Sequence, residues 1–163
     1  MKGGDPWAAS ESEERTRRVL AVEDDPDAAE MVRRILERAG FEVKVALDGF
    51  QCGSLLGSWR PAVVTLDLNM PGLSGMDVLR FLRETELLAG VKVLVVSAMP
   101  EEALATAVAA GADGALRSPY APRDLVREVC ALAGVPVPAN GPADGEASVG
   151  VPGTHPVKEG QTA

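Results

Sequence analysis

The chain has 163 residues, 46% of them apolar, which is enough for one sizeable core, so a single domain with flanking tails is expected. A formal net charge of −8 argues against direct binding to nucleic acid or to an anionic membrane, because both reward clustered Lys and Arg. Cys52 and Cys130 lie far apart with no supporting His cluster, so they indicate neither a disulfide framework nor a zinc site. There is no apolar signal-peptide core near the start and no run of about 18 apolar residues, so a cytoplasmic location is the expectation.

Residues 1–16 mix Gly, Asp, Ser and Glu without periodicity, and residues 135–163 are rich in Pro, Gly and Ala. Both read as mobile tails around a domain at 17–134, with Trp7 and the only histidine, His155, as incidental tail residues. Residues 19–22 make a brief buried strand, and Asp25-Pro26 then supplies an N-cap acid with proline at the first helical position. Met31, Val32, Ile35, Leu36 and Ala39 recur at helical spacing opposite Arg33, Arg34, Glu37 and Arg38, and Gly40 closes that helix. Phe41, Val43 and Val45 alternate with Glu42 and Lys44, the pattern of a strand with one wet face, as at a sheet edge. A weaker helix follows at 50–56.

The β-branched runs AVVTLDL (62–68) and VKVLVV (91–96) are of the kind buried on both faces. Between them, Met76, Leu79, Leu82 and Leu87 predict a helix over 76–88. An alanine-rich helix at 101–110 behind Pro100, a fifth short strand at 112–117 and a last helix at 122–132 complete five strand-helix units. Such alternation implies an α/β fold, a parallel sheet with right-handed crossovers and helices on both faces.

In an open doubly wound sheet, ligands sit outside the carboxyl ends of the strands at the switch point of the strand order. Strand one ends in Glu23-Asp24-Asp25, strand three in Asp67 with Asn69 two residues on, strand four in Ser97 and strand five in Ser118-Pro119. With strand order 2-1-3-4-5, strands one, three and four are neighbours, and their acids and hydroxyls converge on one crevice. Crowded carboxylates repel one another, a cation relieves that repulsion, and all-oxygen donors suit magnesium. A carboxylate beside such an ion can attack phosphorus to form an aspartyl phosphate, and a hydroxyl such as that of Ser97 can hydrogen-bond the transferred group. Plainer roles exist for each: loop acids at a helix N-terminus for Glu23 and Asp24, a turn former for Asp67, an Asx turn for Asn69, and backbone satisfaction for Ser97.

The blocks VLAVEDDPDAAEMVRRIL, VVTLDLNMPGLSGMDVLRFL, VLVVSA and ADGALRSPY resemble those of bacterial response-regulator receiver domains, over roughly residues 18–132. The LDLNMPGLSG stretch is the specific part. The resemblance implies a flavodoxin-like five-stranded sheet in the order 2-1-3-4-5. It implies Asp67 as phosphoacceptor, Glu23 and Asp24 as metal-binding acids, Asn69 as a backbone-carbonyl ligand of Mg2+, and Ser97 as the switch hydroxyl. It further implies a histidine kinase or phosphotransfer protein as donor and a downstream protein target. Relatives often make partner contacts, homodimers included, through the region corresponding to residues 101–132.

Two departures stand out. The family's lysine before the proline after strand five is replaced by Ser118, and the aromatic three residues earlier by Ala115. Arg117 is adjacent, but strand alternation starts its side chain on the opposite face from position 118. By resemblance the Ser118-Pro119 bond is expected to be cis.

The leading expectation is a single-domain response regulator, phosphorylated on Asp67 and signalling through protein contacts rather than acting as an enzyme. The alternative is a pseudo-receiver that keeps the fold and no longer depends on phosphorylation. A haloacid-dehalogenase-type hydrolase is disfavoured because Asn69 stands where that family has a second Asp. Flavin binding is disfavoured by the acidic first loop, which would repel a cofactor phosphate.

Overall fold

A computed structural model describes the backbone of residues 6–140 and the side chains of residues 11–140; His155 and residues 141–163 of the expected C-terminal tail lie outside the described residues. The elements run α1 (Pro6–Thr16), β1 (Arg18–Val22), α2 (Pro26–Arg38), β2 (Glu42–Ala46), α3 (Gly49–Trp59), β3 (Val63–Leu66), α4 (Gly75–Glu84), a 3-10 turn (Glu86–Leu88), β4 (Lys92–Ser97), α5 (Glu101–Ala109), β5 (Gly114–Arg117) and α6 (Pro122–Ala133). The strands form one five-stranded sheet in the order β2-β1-β3-β4-β5, parallel at every pairing.

Alternate residues of the central strands point into two separate cores, as the period-two pleat requires. Leu20, Val22, Val64, Leu66, Val93 and Val95 pack with Cys52 and Leu56 of α3, Val78, Leu79 and Leu82 of α4, and Leu104 of α5. Val19, Ala21, Val63 and Leu94 pack with Val32, Ile35 and Leu36 of α2 and with Leu125, Val126 and Val129 of α6. The strand order reverses direction at β1, flanked by β2 on one side and β3 on the other. β2 is an edge strand and shows the wet face that its alternation predicts, with Glu42 and Lys44 exposed and Val43 buried.

Local chemistry sets the helix ends. Asp25 accepts a hydrogen bond from the Asp27 amide at 2.9 Å, Pro26 begins α2, and Gly40, at φ 93°, ends it in a conformation other residues resist. At α3, Asp48 accepts from the Gln51 amide at 2.8 Å while the Gln51 side chain accepts from the Leu47 amide at 2.9 Å. That reciprocal cap starts α3 at Gly49, and the helix continues to Trp59, beyond the expected 50–56.

Four expectations need correction. Residues 6–16 of the expected N-terminal tail form helix α1, and Trp7 falls on it. The helix predicted over 76–88 stops at Glu84, where Thr85 turns its hydroxyl back to the Phe81 carbonyl at 2.7 Å. Leu87, placed by spacing on the apolar stripe, sits in the following 3-10 turn and is 86% exposed. Met31, also assigned to a stripe, is exposed on α2. The Ser118-Pro119 peptide is cis, as expected.

Candidate metal and phosphoryl site

The sheet register brings the expected residues together. Val22 pairs with Leu66 and Leu66 with Val95, so the residues that follow them emerge at one level of the sheet. The Asp67 amide donates to the Val22 carbonyl at 3.1 Å, and the Ser118 amide to the Ser97 carbonyl at 3.0 Å, stitching neighbouring strand tips together. Above these tips opens a cleft of about 310 Å³, lined among others by Glu23, Asp24, Asp67, Asn69, Ser97 and Ser118. One carboxylate oxygen each from Glu23, Asp24 and Asp67 lies within 4.8 Å of the others.

Backbone donors hold two of these acids in place. Glu23 Oε1 accepts from the Asp25 amide at 3.2 Å, and Asp67 Oδ1 accepts from the Asn69 amide at 3.1 Å. The Asn69 side chain is exposed. Burial, with the Asp67 charge next in importance, pushes the Glu23 carboxyl up to about 8. A carboxylate held that far above its ordinary range marks a site short of positive charge.

Ser97 is buried, with 2% of its surface accessible, and its Oγ accepts from the Met99 amide at 3.3 Å. That bond fulfils the plainer backbone role, yet it uses the oxygen as acceptor and leaves the hydroxyl proton to donate into the cleft. Asp25 also lines the cleft, but its oxygen is engaged in capping α2. Ser118 lines the cleft, whereas Arg117 is not among the lining residues and its side chain is exposed. Among the described residues, no Lys or Arg lines the cleft.

Three contributors escape sequence reasoning. Thr65, 3% exposed, and Tyr120, 7% exposed, both line the cleft. Burial, followed by the Glu23 charge, pushes the Tyr120 hydroxyl up to about 12, so it stays a neutral donor at physiological pH. Gly75 opens α4 directly beneath the Asp67 backbone. A Cβ there would lie 2.7 Å from Leu68 Cα and closer still to the Asp67 carbonyl oxygen, so no larger residue fits without moving that loop. The Ser74-Gly75 pair at a helix start was the available signal, since Ser74 caps α4 by accepting from the Met76 amide.

A doubly wound parallel sheet with acids at the tips of its switch-point strands is the architecture of signalling receivers. A response regulator from Chloroflexus aurantiacus superposes with a TM-score of 0.69 at 28% identity, covering 72% of this chain and 98% of that one. The signal receiver domain of a response regulator from Bermanella marisrubri gives a TM-score of 0.68 at 39% identity, covering 71% and 97%. Among curated proteins, the DNA-binding response regulator MtrA of Mycolicibacterium smegmatis is 36% identical over 114 residues, 69% of this chain and 49% of that protein. The phosphate regulon transcriptional regulatory protein PhoB of Pseudomonas aeruginosa is 31% identical over 136 residues, 83% of this chain and 58% of that protein. The response regulator receiver domain model matches residues 19–130. The chain belongs to the response regulator receiver domain family of two-component systems. It spans about half the length of the curated relatives it matches. Among the described residues, no helix is long and apolar enough to cross a membrane.

Proposed function

We propose that this receiver accepts a phosphoryl group on Asp67 in a magnesium-dependent reaction and signals through protein-protein contacts. The observation that carries the reading is the meeting of three carboxylates within 4.8 Å at aligned strand tips, one of them the acid that ends β3. The donor set fits Mg2+: oxygen ligands alone, crowded enough that Glu23 resists ionisation without a cation. Glu23, Asp24, Asp67 and the Asn69 carbonyl would hold it. When bound, the ion neutralises the acids and draws charge from the phosphoryl oxygens.

The remaining steps belong to the chain. The Asn69 amide orients the Asp67 carboxylate, one oxygen of which attacks phosphorus. A bond forms from Asp67 to phosphorus as the bond from phosphorus to the donor's imidazole nitrogen breaks, and the electron pair leaves with that nitrogen. The Ser97 hydroxyl then donates to a phosphoryl oxygen. The donor in this reading is a histidine kinase or phosphotransfer protein acting in the cytoplasm. The face formed by residues 101–132 carries the downstream contact. With a net charge of −8 on the chain, the receiver itself contributes no nucleic-acid contact, even though relatives such as MtrA are named DNA-binding.

A second reading, a phosphorylation-independent interaction module, is favoured by one observation: among the described residues, the cleft is lined by Ser118 and by no cationic side chain. A charge-assisted hydrogen bond contributes about 1.5 to 3 kcal/mol, so the missing lysine weakens phosphoryl retention roughly ten- to a hundredfold without removing the nucleophile. Incubation with acetyl phosphate and Mg2+, read by intact mass, separates the two. The first reading expects a gain of one phosphoryl group that disappears in Asp67→Ala, whereas an unchanged mass with every donor would leave only the second.

A further inference from the structure

Away from the acidic cleft, one surface is out of keeping with the rest of the chain. Helix α3, GFQCGSLLGSW, contains no charged residue, although a quarter of the chain is charged and its net charge is −8. Its first turn presents Phe50 with 87% of its surface exposed, and neighbouring α4 presents Phe81 at 51%. Between α3 and α4 runs an apolar groove of about 320 Å³, lined by Gly49, Cys52, Gly53 and Leu56 on one side and by Leu73 and Phe81 on the other. Asp77, the charged residue at its rim, is paired with Arg80 at 3.4 Å. A Cβ built on Gly53 or Gly57 meets nothing within 4 Å, so another helix backbone can come close along this face.

We infer that this α3–α4 face is a self-association surface, with Phe50 of one copy entering the α3–α4 groove of a second copy across a two-fold axis near Gly53 and Gly57. The patch is self-complementary: it holds a protruding aromatic knob and an apolar hole side by side, as an isologous contact requires. Charge favours a second copy here over other faces of the molecule. Two identical acidic chains repel, and on α2 a second copy would have to desolvate the ion-paired Glu30, Arg33, Arg34 and Glu37, whereas α3 carries no charged side chain to desolvate. The helices of the 101–132 face, where homodimer contacts are expected from the sequence, carry Glu101, Glu102, Asp124 and Glu128 against Arg123 and Arg127, a net acidic set. Burying Phe50 and Phe81 from both copies removes roughly 600 to 800 Å² from water. That is below the size of stable interfaces, so the contact is a weak, reversible one that forms at high chain concentration.

The inference does not depend on the phosphorylation reading, and the test is done in EDTA without a phosphodonor. Sedimentation velocity of the full chain, from about 10 µM to about 1 mM, is expected to show a monomer-dimer equilibrium. Phe50→Glu raises the dissociation constant at least about tenfold with an unchanged urea midpoint, because Phe50 is exposed in the monomer. Val108→Glu on α5 leaves it unaltered. Gly57→Cys becomes oxidisable to a cross-linked dimer, because native Cys52 and Cys130 are buried, and the cross-link is lost when Phe50→Glu is added. A monomer throughout the range, association that survives Phe50→Glu, or association abolished by Val108→Glu would each overturn it.

Discussion

Replacing Glu23 by Gln should stabilise the metal-free protein at high pH and leave it unchanged at low pH. In the folded chain the Glu23 carboxyl is pushed from 4.5 up to about 8, chiefly by burial and then by Asp67. A group whose folded value lies above its unfolded value binds the extra proton in the folded state. Its full stability is therefore present below about pH 4.5 and is lost as pH rises through about 8. The nominal difference converts to roughly 5 kcal/mol at 1.36 kcal/mol per unit. Glu23 is only half-buried, so solvent screening takes back more than half, leaving about 2 kcal/mol. Urea unfolding in EDTA at pH 5 and pH 8.5 measures this directly. The parent should weaken between the two conditions while Glu23→Gln does not, and the variant should exceed the parent by about 2 kcal/mol at pH 8.5. Millimolar Mg2+ should then raise the parent and leave the variant where it was. Equal stabilities of parent and variant at pH 8.5 would refute the reasoning, because the acid would then carry no penalty for cation binding to relieve.

Other consequences follow from particular contacts. Gly75→Ala forces a Cβ into the Asp67 and Leu68 backbone and should cost about 1 to 3 kcal/mol by urea unfolding, with a matching fall in phosphoryl uptake as the acceptor shifts. Arg83 on α4 donates to the Gly111 and Val91 carbonyls, both at 2.8 Å, and to Asp113 Oδ2 at 2.7 Å. Arg83→Ala strands these acceptors and should cost about 2 to 3 kcal/mol in the same assay while leaving Mg2+ affinity unchanged. Ser118→Lys places an ammonium in the cleft and should lengthen the lifetime of the phosphorylated form about tenfold, followed by the decay of intact mass.

The fold was legible where burial and sequence type coincide. The β-branched run at Val63–Leu66 is buried on both faces as its composition requires, and the polar alternation of Glu42–Ala46 marked a sheet edge. Asp25-Pro26 announced α2 through a cap whose chemistry is entirely local. Helix α1 escaped because Pro6–Thr16 has no apolar stripe to read; its alanines and glutamates favour helix by propensity rather than by packing. Leu87 and Met31 misled for the converse reason, since apolar type does not fix which way a residue faces. In the candidate site, the acids and Ser97 were visible because each ends a strand. Thr65, Tyr120 and Gly75 matter only through neighbours brought together by the sheet and the α4 entry, which no short window of sequence displays.

The acidic cleft stands or falls on cation capture at Glu23 and Asp24 beside Asp67. Isothermal titration of the chain with Mg2+ at pH 8 should show uptake of one ion, greatly weakened in Glu23→Gln and in Asp24→Asn. Heat of binding that is absent in the parent, or that persists undiminished in both variants, would contradict the assignment and leave the receiver architecture without its chemistry.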